Sequence, residues 1–167
     1  MPFTALILAA GFGNRMKPLT EDKHKSLLQV AGKPILGRII DSLLEYKIEH
    51  FCIVTGYRDE DIKKYILENY PSLNVFYIHN KDYYKTNNIH SVALALENID
   101  LKQDLLLIES DLVFDANVLF QLINSDYKNC ALVSKYIMGM DGTVIAKSDD
   151  RINAVYPPHL HDKDFNF

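Results

Sequence analysis

The chain has only two cysteines among 167 residues. Both sit in apolar runs, Phe51-Cys52-Ile53-Val54 and Cys130-Ala131-Leu132-Val133. Both read as small core residues on strands, so a disulfide-built scaffold is not expected. A basic excess is also lacking. Eighteen Lys and Arg face 22 Asp and Glu, for a net charge of −4. That balance speaks against a general nucleic-acid binder, which presents a basic face, but it leaves room for a local cationic pocket. No apolar run is long enough to span a bilayer, and no signal peptide precedes Ala5, so no membrane span is expected and the cytoplasm is the default location. Repeats and low-complexity tracts are absent as well. With 48% hydrophobic and 24% charged residues, the composition is that of one globular domain over residues 1–167 with a sizeable core.

Glycine is scarce, seven in all, yet two fall close together in Gly11-Phe12-Gly13-Asn14-Arg15. They follow Thr4 to Ala9, a short apolar run that reads as a buried strand. Glycines there let the backbone take positive φ and lie against a ligand, with free N–H groups turned toward anionic oxygens. Arg15 adds a donor fork suited to phosphate, and Lys25 adds a point charge further on. A strand ending in a glycine loop with two spaced cations is a device for holding a polyphosphate. It is not a dinucleotide fingerprint, because Met16 stands where a third glycine is needed and Pro18 opposes an early helix. Nor is it a Walker A loop, because no Gly-Lys-Ser/Thr follows.

The rest of the first half alternates. Lys33-Pro34-Ile35-Leu36 opens a helix with Ile35, Ile39, Leu43 and Tyr46 on one stripe. His50 to Thr55 is a second buried strand. A helix from Asp59 or Glu60 carries Ile62, Tyr65, Ile66 and Asn69 on one face and stops at Pro71. Asn74 to His79 leads into a third strand. Right-handed crossovers then give a parallel sheet covered on both faces. A polar stretch, Asn80 to Asn88, precedes a helix from Ile89 to Leu96 capped by Asn87 or Asn88. Leu105 to Ile108 is a fourth strand, ending in Glu109-Ser110-Asp111. A helix from Phe114 to Ile123 follows, capped by Asp115. Three more strands are expected at Cys130 to Ser134, Thr143 to Lys147 and Ile152 to Tyr156. Asp141-Gly142 reads as a hairpin turn between the first two of these, and Asp149-Asp150 separates the last two.

In open α/β sheets, ligands sit at the carboxyl ends of strands. Four polar clusters should gather there: the Gly11 loop, Gly56-Tyr57, the Asn80 segment and Glu109-Ser110-Asp111. At the end of an apolar strand, Asp111 is placed either to hold Mg²⁺ against phosphate oxygens or to cap the next helix. Asn87 and Asn88 suit the edge of a base or a ribose, or simply cap a helix. His159-Leu160-His161, on the tail, has no third ligand and reads as solvated rather than as a zinc site.

The run Leu8-Ala9-Ala10-Gly11-x-Gly13-x-Arg15-Met16-x-Pro18-Leu19-Thr20, then Lys25 and Val30-Ala31-Gly32-Lys33-Pro34-Ile35-Leu36, resembles the signature of the nucleotidyltransferases that make NDP-sugars and CDP-alcohols. Thr86-Asn87-Asn88-Ile89-His90-Ser91, Tyr57 in Gly56-Tyr57, and Asn80-Lys81-Asp82-Tyr83 are similar to the bacterial phosphocholine and 2-aminoethylphosphonate cytidylyltransferases. Asp141-Gly142-Thr143-Val144 and Pro157-Pro158-His159-Leu160 resemble the phosphonate branch more. The resemblance implies a Rossmann-like three-layer α/β/α nucleotidyltransferase fold with a mixed, mostly parallel central sheet. It implies transfer of CMP from CTP to a small phosphate or phosphonate acceptor, Mg²⁺-dependent, with release of pyrophosphate. It assigns Lys25 and Arg15 as catalytic residues and Asp111 as the metal ligand. Leu8, Ala9, Ala10, Gly11, Gly13, Asn80, Asn87, Asn88, Ser91 and Ser110 become nucleotide contacts. An NDP-sugar pyrophosphorylase using UTP or dTTP, and a non-catalytic nucleotide-binding module, are the competing readings. Two departures stand out. His24 precedes Lys25 where the family mostly has proline, either as a titrating neighbour of the phosphates or as a loop substitution. Family members also continue further, toward a second metal-binding aspartate, so a C-terminally shortened domain, with a fused or associated enzyme domain, is expected.

Overall fold

The computed structural model describes residues 3–100, 102–137, 140 and 142–157. Its contacts gather in two compact units, Met1–Ile123 and Asn124–Phe167.

In the first unit, the central sheet is built from β1 (Phe3–Ala9), β4 (His50–Thr55), β5 (Val75–His79) and β6 (Asp104–Glu109). Two short strands, β2 (Gln29–Val30) and β3 (Lys33–Pro34), form a separate antiparallel ribbon. Its turn residues, Ala31 and Gly32, both have positive φ, at 48° and 78°. The central strands lie in the order β5-β4-β1-β6, and every pairing among them is parallel. The antiparallel pairing expected of a mixed sheet occurs, among the described residues, only in separate two-stranded ribbons.

Among the described residues, four helices cover the sheet: α1 (Ile35–Glu45), α2 (Asp59–Asn69), α3 (Asn88–Asn98) and α4 (Ala116–Ile123). Alternation along β1 decides which face each serves. Ala5, Ile7 and Ala9 point into a core shared with Ile35, Leu36, Ile39, Ile40 and Leu43 of α1, Ile62 and Ile66 of α2 and Leu119 of α4. Leu6 and Leu8 point the other way, onto Ala95 of α3. The result is a three-layer α/β/α arrangement, as the 3.6- and 2-residue periods require. Pro34 stands at the N-cap of α1 and Asn87 at that of α3, where its side chain accepts from the His90 N–H. Asp115 caps α4 through the Asn117 N–H at 2.9 Å.

The chain runs outward from β1 to β4 and β5, then returns to place β6 on the other side of β1. The strand order therefore reverses between β1 and β6, and a crevice opens at the carboxyl ends of those two strands.

The second unit contains the antiparallel hairpin β7 (Val144–Ser148) and β8 (Arg151–Tyr156), with a register shift between Ala146 and Lys147. Its turn is Asp149-Asp150, with Asp149 at φ 52°. One expected strand does not form. Residues 130–134 are irregular and exposed, and Cys130 is a free, exposed cysteine rather than a core residue. A four-residue apolar run has no period of its own, and without a partner strand it cannot bury a face. Cys52 does lie in the core, where burial pushes its thiol up to about 11. Asp141 and Pro158-His159-Leu160-His161 lie outside the described residues.

Candidate active site

The carboxyl edge of the sheet is stitched one step beyond its strands. The Ser110 N–H donates to the Leu8 carbonyl at 3.2 Å, the Tyr57 N–H to Ala10 at 3.0 Å and the Asn80 N–H to Thr55 at 2.8 Å. The four polar clusters are thereby held along one edge, in the order Asn80, Tyr57, Gly11 loop, Ser110. Phe12, Tyr57 and Tyr83 pack as a trio across three of these loops, with ring centroids 4.8, 5.1 and 6.4 Å apart. Gly56 makes this possible, because a Cβ there would meet the Tyr83 Cβ at 2.7 Å and the Ala10 carbonyl oxygen at 2.8 Å.

The glycine loop passes into a 3₁₀ turn at Asn14–Met16, with Gly13 left-handed at φ 68°. Its carbonyl accepts from Thr20 Oγ1 at 3.0 Å. Beside Gly11 a Cβ would meet nothing within 4 Å, so that face is open to a ligand. A cleft of 210 Å³ lined by Phe12, Asn14, Lys17, Thr20 and Tyr57 lies against the loop. Larger clefts of 320 and 580 Å³ lie at the opposite, amino ends of the strands, where none of the expected site residues is found. Arg15 is exposed and engages no side-chain partner among the described residues.

A second 3₁₀ turn, Lys25–Leu27, carries Lys25 into the crevice. Its Nζ lies 2.8 Å from Asp111 Oδ2, with the lysine largely buried and the aspartate about one-third exposed. Next to this pair, Asn88 Nδ2 donates to Glu109 Oε1 at 2.7 Å. Burial pushes the Glu109 carboxyl above the usual range; Lys25 pulls it back, Asp111 pushes it up again, and the Asn88 hydrogen bond favours the charged form. The crevice thus gathers two carboxylates, which can donate oxygens, beside a lysine ammonium, which cannot. Oxygen donors of this kind suit a hard cation such as Mg²⁺, which takes one or two carboxylates and completes its shell with water and substrate phosphates. Among the described residues, no cluster of three or more His, Cys, Asp or Glu could hold a metal by itself.

The remaining expected contacts divide. Asn88 faces the crevice. Asn87 is spent on the α3 cap. Asn80 is fully buried, its Nδ2 donating to Thr86 Oγ1 at 3.0 Å and Ser91 Oγ at 3.2 Å, while its Oδ1 accepts from the Asp82 N–H. Asn80 and Ser91 thus hold the 80–91 segment to the sheet edge. Leu8 and Ala10 have their carbonyls engaged in the edge stitching. Ser110 is buried, and its Oγ, the Thr55 Oγ1 and the His24 Nε2 make no side-chain hydrogen bond by geometry. The sequence places Glu109 in a polar cluster at the sheet edge but assigns no role to it, and assigns none to Phe12. Glu109 had a signal: alternation places it on the α3 side with Leu105, where α3 begins at Asn88.

Residues 5–151 match the family model described as the MobA-like NTP transferase domain. The chain is 31% identical over 156 residues to the CMP-5'-(3-aminopropyl)phosphonate synthase of Streptomyces rubellomurinus, covering 93% of this chain and 24% of that protein. It is 38% identical to the choline-phosphate cytidylyltransferase of Haemophilus influenzae, covering 68% of this chain and 46% of that one. Among solved structures, the CTP:phosphocholine cytidylyltransferase of Streptococcus pneumoniae matches with a TM-score of 0.58 at 35% identity, over 66% of this chain and 46% of that chain. The chain therefore spans between a quarter and about half of the length of these relatives. Among the described residues, no helix is long and apolar enough to cross a membrane.

Proposed function

The chain belongs to the MobA-like NTP transferase family, and on that premise we propose that it transfers CMP from CTP to a small phosphate or phosphonate acceptor bearing a cationic amine, with 2-aminoethylphosphonate and phosphocholine as the leading acceptors. The observation that carries this reading is the crevice at the strand-order reversal. There Lys25, Asp111 and Glu109 stand together beside a glycine loop whose Gly11 face is open. The kinship with cytidylyltransferases supports the choice of nucleotide and of acceptor.

In this reading the base and ribose lie over the ends of β1 and α3, against Leu8, Ala9, Ala10 and Asn88. Backbone N–H groups near Gly11 and Gly13, with Arg15, orient the triphosphate. A phosphate or phosphonate oxygen of the acceptor attacks the α-phosphorus. One P–O bond forms, the bond to the bridging oxygen breaks, and pyrophosphate departs with its electron pair. The attacking oxygen is already anionic, so no general base is needed. Catalysis is then alignment plus charge stabilisation by the Lys25 ammonium. Asp111, with Glu109 beside it, would hold Mg²⁺, which when bound neutralises charge on the phosphate oxygens.

The test is pyrophosphate release with each NTP against 2-aminoethylphosphonate, phosphocholine and sugar 1-phosphates, on this chain and on any longer natural form. A CTP-dependent signal with an amine-bearing acceptor supports the reading and names the acceptor. Turnover only with UTP or dTTP and a sugar 1-phosphate replaces it with an NDP-sugar pyrophosphorylase. CTP binding without release from either form makes the domain a binding module.

A further inference from the structure

His24 leads into the turn that carries Lys25, and it is fully buried. Its Nδ1 sits 2.8 Å from Ser26 Oγ and accepts from the Ser26 N–H at 3.2 Å, so the ring caps the turn that carries Lys25. A ring nitrogen that accepts from a backbone N–H carries no proton, so the neutral ring holds its proton on Nε2. That nitrogen meets no partner of good hydrogen-bond geometry, yet the Gly11 backbone is near enough to favour a charged ring. One edge of the imidazole is therefore fastened to the Lys25 turn, and the other faces the glycine loop. The same two segments touch again at Gly13, where a Cβ would meet the Lys25 Cβ at 3.0 Å. A proline at this position would supply neither the cap nor the Nε2 donor.

We propose that His24 is a positioning residue, a buried strut that sets the distance between the glycine loop at Gly11–Gly13 and the Lys25 ammonium. Its consequence for catalysis rests on the nucleotidyl-transfer reading; its geometry does not. Two substitutions separate the two edges of the ring. In His24→Asn the short amide reproduces the Nδ1 acceptor and keeps the cap on Ser26, but loses reach toward Gly11. In His24→Gln the longer amide reproduces the Nε2 donor but loses the cap.

The experiment uses the longest natural form of the protein, with CTP as the probe. We expect His24→Asn to raise the KM for CTP about tenfold with kcat nearly kept, and His24→Gln to lower kcat about tenfold with KM nearly kept, because each loosens one half of the site. Equal losses of melting temperature in both variants, with wild-type kcat and KM in the folded fraction, would reduce His24 to a packing residue and overturn the proposal. A second readout needs no turnover. Ring ¹⁵N shifts of the wild-type protein should report an unprotonated Nδ1 and a protonated Nε2, and the amide signals of Gly11 and Gly13 should move in His24→Asn but not in His24→Gln. The opposite tautomer, or unmoved amides in both variants, overturns the strut. Wild-type protein that turns over no nucleotide while showing these signals would overturn the functional reading and leave the strut standing.

Discussion

Lys25 and Asp111 come from positions 86 residues apart and meet at 2.8 Å. The roles proposed for them predict that Lys25→Ala and Asp111→Ala each lower the turnover of an active form by about a hundredfold or more, the usual cost of removing one preorganised electrostatic contact. Pyrophosphate release by the two variants checks this, and near-wild-type turnover in either removes that residue from the mechanism. His24 gives a pH dependence of another kind. Burial, with the Lys25 charge adding to it, lowers its pKa to about 4 from 6.5; the Gly11 backbone, Asp61 and Asp111 oppose this. Between those values the unfolded chain binds a proton that the folded chain refuses. The ring therefore costs nothing above pH 6.5, stability falls as pH drops toward 4, and the full loss is about 3 kcal/mol. Urea midpoints measured across this range should show the slope in wild type and a shallower one in His24→Asn, which has no titrating ring. Equal slopes would mean that the carboxylates alone set the acid sensitivity.

At the scale of elements, the helices were legible wherever a stripe of large apolar residues marked one face. Ile35, Ile39 and Leu43 recur at helical spacing, and all three are buried in α1. The apolar run at Cys130 forms no strand, because a strand needs a neighbour and sequence does not display one. The two 3₁₀ turns and the β2–β3 ribbon escaped for a related reason: two or three residues are too few to show a period. Gly56 makes a prediction here. Its neighbours at 2.7 and 2.8 Å include the Ala10 carbonyl, which belongs to the stitched edge and cannot swing aside as a side-chain tip can. Gly56→Ala should destabilise the protein by about 1–3 kcal/mol and part Tyr83 from the glycine loop. Thermal unfolding and the affinity for CTP should both decline; an unchanged melting temperature would mean the edge yields freely.

On the scale of the whole molecule, the order of elements implies a parallel sheet, and the rule that ligands sit at carboxyl ends gathers four polar clusters from the sequence alone. Pairings across that edge were not legible. That Asn80 binds Ser91 and Thr86, while Asn88 reaches Glu109, depends on how α3 sits over β6. Asparagines look alike in sequence: burial marks Asn80 as a brace, but Asn87 and Asn88 are both exposed, and only their hydrogen-bond partners divide the α3 cap from the one that faces the crevice. A nucleotide that bridges several loops should also hold the fold together. CTP with Mg²⁺ at a hundred times its dissociation constant should add about 2.7 kcal/mol, seen as a higher melting temperature. The trio of Phe12, Tyr57 and Tyr83 turns that binding into light. The chain has no tryptophan and ten tyrosines, so its ultraviolet emission is dominated by tyrosine. Two of those ten stand on loops that flank the glycine turn, in contact with a ring that belongs to it. Any ligand that shifts Phe12 changes the surroundings of both phenols at once, and the protein carries its own unlabelled optical gauge of an occupied site.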